Sequence, residues 1–92
     1  MARLSDGDIG ERLAALGGWE RQGDAIVKHY EGDDFMWSVG LVNRLAPVAE
    51  EMNHHPDLEI SWNKVTVTLS THSEGGLTAN DFELAGRIDS VA

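Results

Sequence analysis

The stretch from Leu58 to Ser70 constrains the fold of this chain most. Leu58, Ile60 and Trp62 alternate with polar residues, and Val65, Val67 and Leu69 do so again beyond Asn63-Lys64. Successive side chains on an extended strand point to opposite sides, so the pattern predicts an antiparallel hairpin with one apolar face. Its strands are Leu58 to Trp62 and Val65 to Ser70, turning at Asn63-Lys64, with Trp62 on the core face. Thr66, Thr68 and Ser70 take the opposite face. An apolar sheet face has to be covered, and the rest of the chain supplies helices to cover it.

Ser5 to Leu16 reads as the first helix. Ser5 caps it with Asp8 as a short capping-box partner, Ile9, Leu13 and Leu16 share one face, and Gly17-Gly18 ends it. Trp19 to Gln22 and Ala25 to Glu31 read as a first hairpin, with Gly23 leading the turn. Its alternation is imperfect, since Lys28 falls between Ile26 and Tyr30 on one face. Asp34 to Met52 reads as a long helix capped by Asp33 or Asp34. Two adjoining stripes give it a wide apolar face: Phe35, Val39, Val42, Ala46 and Ala49, then Ser38, Leu41, Leu45, Val48 and Met52. Pro47 predicts a kink or a break, because an interior proline removes a hydrogen bond. Thr78 to Val91 reads as the last helix, with Thr78 and Asp81 as its capping box and Phe82, Ala85 and Ile88 turned inward. The order α-β-β-α-β-β-α is an α+β fold: a four-stranded antiparallel sheet with three helices packed on one face, in a single domain spanning 1–92.

The composition narrows the function. The net charge of −9 argues against nucleic acid and anionic membrane surfaces as partners. No apolar run is long enough to cross a bilayer, and the first residues carry no apolar leader. With no cysteine, disulfides and thiolate zinc sites are excluded. A domain of 92 residues without such staples is expected to be cytoplasmic and to gain stability by oligomerising.

Chemistry concentrates in the histidines. His29, between Lys28 and Tyr30 in a strand, reads as solvent-facing. His54-His55-Pro56 lies past the long helix and before a strand, where Pro56 favours an extended His55. Glu50 precedes His54 by four residues, so the two share a face if the helix reaches that far. His72 follows the second hairpin, whose outer ends meet, so the fold draws His54 and His55 toward His72. Three readings fit the cluster: a polar loop without function, a three-histidine zinc site, and metal-free general acid–base chemistry, which suits imidazole near neutral pH. Spacing alone does not separate the last two.

The residues also resemble a known family, the pterin-4a-carbinolamine dehydratases. The signature is complete: Glu50, three residues, His54-His55-Pro56, five residues, Trp62, nine residues, His72, eight residues, Asp81. The likeness extends through Gly18-Trp19, Asp34-Phe35, Ala49-Glu50 and Asn63-Lys64-Val65. It implies the sheet-and-helix fold above, a homodimer or homotetramer, and no metal or organic cofactor. The implied substrate is a 4a-hydroxytetrahydropterin, dehydrated to the quinonoid dihydropterin in tetrahydropterin recycling. His54 and His72 would carry most of the proton transfer, His55 would bind and assist, and Glu50 would orient an imidazole. Asn53, Pro56, Ser70, Thr71 and Ser73 would shape the pterin site. Asp81 is read as a helix cap first, and Trp62 as packing.

Three positions depart from the family pattern. Leu58 stands where many members have tryptophan, Asn53 where animal members have aspartate, and Gly32 where an apolar residue is common. The scaffold also suits a different role, as a non-catalytic binding or assembly protein, since animal members of the family partner a transcription factor.

Overall fold

The computed structural model describes residues 2–92. Three helices and four strands follow one another as α1 (Asp6–Ala14), β1 (Glu20–Gln22), β2 (Ala25–Glu31), α2 (Phe35–Met52), β3 (Asp57–Ser61), β4 (Lys64–Leu69) and α3 (Ala79–Val91). The sheet is antiparallel throughout, in the spatial order β1-β2-β4-β3. The α+β architecture expected from the sequence is the one observed.

One core forms on one face of the sheet. Ile26, Tyr30, Val65, Val67 and Leu69 meet Ile9 of α1, Leu41 and Leu45 of α2, and Leu84, Ala85 and Ile88 of α3. Lys28 belongs to this face, and its partners explain the broken alternation. Its ammonium donates to Asp89 at 2.8 Å and to the Gly17 carbonyl at 2.7 Å, and lies 4.9 Å from the centre of the Tyr30 ring. Asp89 also accepts from Trp19 Nε1 at 3.1 Å and from the Tyr30 hydroxyl. Four polar groups thus tie the last turns of α3 to the first hairpin.

The caps are local and work as the sequence predicts. Ser5 Oγ accepts from the Asp8 N–H at 3.2 Å, Asp34 Oδ1 accepts from the Trp37 N–H at 2.8 Å, and Thr78 and Asp81 form a reciprocal capping box. α1 ends at Ala14, two residues short of the expected Leu16.

Four expectations are corrected. α2 runs unbroken through Pro47. Leu41 and Leu45 before it and Ala49 after it are fully enclosed, and their burial offsets the lost bond. Phe35 is 52% exposed and Ala46 is exposed too, so of their stripe only Ala49 is buried, with Val39 and Val42 half-buried. The second hairpin turns at Trp62-Asn63, one residue before the expected Asn63-Lys64, since Ser61 pairs with Lys64. Trp62 takes a left-handed φ of 53° at that turn and is 67% exposed, where a core position was expected. Contacts distant in sequence fix the turn: Asn63 Nδ2 donates to the Gly32 carbonyl, the Gly32 N–H donates to the Asn63 carbonyl, and Ser38 Oγ donates to the Trp62 carbonyl.

Candidate active site

α2 delivers the histidine pair by its own C-terminus. Asn53 adopts a left-handed conformation (φ 49°), its N–H donating to the Glu50 carbonyl, while the His54 N–H donates to the Ala49 carbonyl. This closing turn stops the helix and sends the chain toward β3. Asparagine tolerates the left-handed region, so Asn53 has a structural duty at a position the family resemblance gave to substrate contact.

Stopping at Met52 also separates Glu50 from His54. The carboxylate instead accepts from His55 Nε2 at 2.5 Å, a correction to the expected pairing along one helix face. Both partners are largely exposed. His55, Glu50 and Pro56 border an apolar hollow of about 350 Å³ with Ala46, Ala49 and Leu58.

His54 turns inward to Asp81. Its Nε2 lies 2.5 Å from Asp81 Oδ1, and the Asp81 side chain is fully buried. The other oxygen, Oδ2, accepts from Thr71 Oγ1 at 2.8 Å and from the Thr78 N–H at 2.9 Å. An ionised carboxylate only accepts, so the imidazole nitrogen facing it carries a proton. That fixes His54 as the Nε2–H tautomer when neutral and leaves Nδ1 as its free acceptor. Asp81 is therefore a cap, as the sequence predicts, and also the group that orients His54.

His72 opens a single turn of 3₁₀-helix, His72–Glu74, directly after Thr71. The loop is closed at its base by paired backbone bonds between Thr71 and Gly76. Thr71 spends its hydroxyl within the protein, on Asp81 and Thr78. Ser70 Oγ donates to the Asp24 carbonyl at 2.8 Å, and Ser73 is exposed beside His72. His72 borders a separate hollow of about 300 Å³ with Asp24, Asp57, Thr68 and Ser70.

The hairpin register places Asp57 opposite Thr68, so residues 54–56 run beside 69–71. The bonded path His54–Asp81–Thr71 joins the first histidine to the chain neighbour of His72, whereas His55 and His72 border different hollows. His29 stands apart on the outer sheet face, exposed, with Nδ1 2.9 Å from Thr66 Oγ1. Among the described residues, no three histidine or carboxylate side chains gather closely enough to hold a metal ion. His54 and His55 thus each meet a carboxylate through Nε2, an arrangement that leaves Nδ1 as the nitrogen able to exchange a proton.

Comparison with known proteins points the same way. A sequence model described as pterin 4 alpha carbinolamine dehydratase matches residues 2–91. A protein of Thermosynechococcus vestitus, provisionally assigned as a pterin-4-alpha-carbinolamine dehydratase, is 49% identical over 98% of this chain and 95% of its own length. One from Sulfolobus acidocaldarius with the same assignment is 42% identical over 97% of this chain and 98% of its own. The crystal structure of a transcriptional coactivator/pterin dehydratase from Brucella melitensis superposes with a TM-score of 0.94 at 36% identity, covering 98% of both chains. A pterin dehydratase-like RuBisCO assembly factor of the alpha-carboxysome shares the fold, with a TM-score of 0.70 at 23% identity over 82% of this chain and 89% of that one.

Proposed function

This chain belongs to the pterin 4 alpha carbinolamine dehydratase family, and from that footing we propose that it dehydrates a 4a-hydroxytetrahydropterin to the quinonoid dihydropterin. Hydroxide leaves poorly, so the C4a hydroxyl needs a proton as the C–O bond breaks. The N5 proton departs as the C4a=N5 bond forms, and water is the other product. One acid and one base on the same ring system meet both demands.

The observation that carries this reading is the buried Asp81 carboxylate holding His54 Nε2, with its other oxygen tied to Thr71 beside His72. The pair fixes the tautomer of His54, and with it the ring nitrogen that can take a proton. His54 and His72 are the proton-transfer pair, and His55, steadied by Glu50, assists binding. Asn53, Pro56, Ser70, Thr71 and Ser73 form the scaffold around the ring. Leu58 borders the His55 hollow, where an aromatic side chain would offer a stacking surface.

The protein also works as a homodimer or homotetramer in this proposal, in the cytoplasm, without metal or organic cofactor and without nucleic acid. β3 is an edge strand with Leu58 and Ile60 more than a third exposed, and Phe35, Met36 and Trp62 add apolar surface at the near end of α2. A second copy covers such an edge well. No helix among the described residues is long and apolar enough to cross a membrane.

The same apolar surface favours one other reading, a protein-assembly role of the kind the names of the structural neighbours state for themselves. Stopped-flow absorbance of 4a-hydroxytetrahydropterin decay separates the two. Wild type should accelerate the reaction and His72→Ala should lose most of that gain while keeping its melting temperature, because His72 is exposed outside the core. A folded wild type that leaves the uncatalysed rate unchanged refutes the enzyme reading.

A further inference from the structure

Two of the three site histidines are held by carboxylates: His54 by Asp81 and His55 by Glu50. His72 forms no ion pair among the described residues, so its placement rests on the backbone of its own loop. The incoming leg of that loop is tied down at Thr71, whose hydroxyl meets Asp81 and Thr78. The outgoing leg, Gly75-Gly76-Leu77, is held by the residues before α1. The Leu4 N–H donates to the Leu77 carbonyl at 2.8 Å, and Arg3 Nη1 donates to the Gly75 carbonyl at 3.4 Å. Gly75 has a left-handed φ of 68°, which calls for glycine. Gly76 has no such φ, yet a Cβ there would stand 2.5 Å from Arg3 Cδ and 3.0 Å from Arg3 Cγ. The arginine stem therefore lies on the buried Gly76, and the missing side chain at that position gives it room. Behind this contact the arm is fixed by Leu4, which packs against the core, and by Ser5, which caps α1.

Resting on the reading of the chain as a pterin enzyme, we propose that Arg3 is a positioning residue for His72. Its stem on Gly76 and its bond to Gly75 clasp the outgoing leg, so the imidazole is carried by a loop held at both ends. Arg3 bonds to backbone and acts only through that loop. A long, exposed bond of this kind is worth about two- to ten-fold in the ratio of held to released loop. Releasing the leg moves a proton-transfer group out of alignment, and misplacement of that kind is felt in the chemical step. Most of the proposed pterin contacts, Asn53, Pro56, Ser70 and Thr71, lie outside the released leg, so the loss falls on kcat rather than on KM.

The test is a double-mutant cycle on the contact, read by stopped-flow dehydration of 4a-hydroxytetrahydropterin over a range of concentrations. Arg3→Ala removes the stem and the donor, and Gly76→Ala pushes the stem away. Each should lower kcat about two- to ten-fold with KM little changed. The double variant should be no slower than the worse single one, because both substitutions break the same contact. Lys64→Ala, which removes an exposed cation at the far end of β4, should keep the wild-type kcat. Backbone ¹⁵N relaxation should show residues 72–76 more mobile in Arg3→Ala than in wild type, a readout independent of turnover. With an active wild type, an unchanged kcat in Arg3→Ala, a rise in KM alone, losses that multiply in the double variant, or unaltered mobility of residues 72–76 overturns this inference and leaves the enzyme reading intact. A folded wild type that gives no acceleration overturns both.

Discussion

Replacing Asp81 by asparagine tests the orientation of His54 with little change of shape. Asp81 is fully buried and accepts three bonds: from His54 Nε2 at 2.5 Å, Thr71 Oγ1 at 2.8 Å and the Thr78 N–H at 2.9 Å. Asparagine keeps one accepting oxygen and gains an NH₂ group. Turning that NH₂ toward the Thr78 N–H would set two buried donors against each other, at about 1–3 kcal/mol. The oxygen therefore stays with Thr78, and the NH₂ faces His54. Nε2 must then accept, and the imidazole proton moves to Nδ1, the position needed toward the ligand. Hydrogen bonds to a charged group are worth about 1.5–3 kcal/mol against about 0.5–1.5 for neutral ones, so stability should fall by about 1–3 kcal/mol. In a domain of this size that lowers Tm by about 4–8 °C per kcal/mol. The dehydration rate per folded molecule should drop about 10²-fold or more, the lower range for a positioned proton-transfer group. Stopped-flow rates, thermal melts and ¹⁵N spectra of the His54 ring are the assays. A variant that loses stability but keeps its rate and its Nε2–H signal refutes the positioning role and leaves Asp81 as a cap alone.

Two further perturbations address the scaffold. Burial opposes ionisation of Asp89, but donation from Lys28, Tyr30 and Trp19 outweighs it and holds the carboxyl below its ordinary range. The stability it adds is present above the unfolded value of about 3.9 and is lost as pH falls through the folded one. Burial first, then the bond to Asp89 and its charge, push the Tyr30 phenol above its ordinary range. The folded chain thus holds that proton more tightly, and stability is lost as pH rises past about 10. Tm should be flat between these limits, and Tyr30→Phe should soften the alkaline fall while lowering the plateau; an equally steep alkaline fall in the variant refutes the assignment. Separately, a methyl group at Gly32 would sit 1.9 Å from Trp37 Cδ2. Gly32→Ala should cost about 1–3 kcal/mol in a thermal melt, recovered in a Trp37→Ala background, and an unchanged Tm would show that the indole moves freely.

What the sequence reveals here divides by the range of the interaction. Caps at Ser5, Asp34 and Thr78, the glycine-led turn at Gly23 and the alternation of β4 depend on residues within four places, and all read correctly. The turn at Trp62-Asn63 did not, because Gly32 and Ser38 hold it from 24 to 31 residues away. Alternation continues through Trp62 on paper, while those bonds place Trp62 at the turn. The same holds for Glu50. Helical spacing pairs it with His54, but the left-handed Asn53 rotates the following residues and brings His55 to it instead. Gly32 departs from the family pattern for a reason only the fold shows, since the Trp37 indole occupies the space a side chain would need.

Asp81 shows why a correct local reading can conceal a functional one. The capping-box pattern accounts for a single oxygen, Oδ2, which takes the Thr78 N–H. On an exposed helix the remaining oxygen is satisfied by water and the account is finished. The neighbours of Asp81 argue against exposure: Phe82, Leu84 and Ala85 all face the core, so the first turn of α3 is enclosed. A buried carboxylate with one oxygen unmet carries a penalty of several kcal/mol, and the fold must supply it a donor. Few donors lie in reach of that helix end, and a histidine spaced within the same signature is one of them. Burial of the cap, joined to the unmet oxygen, is therefore the signal that links Asp81 to His54, and it becomes visible once helix periodicity and hydrogen-bond counting are applied to the same residue.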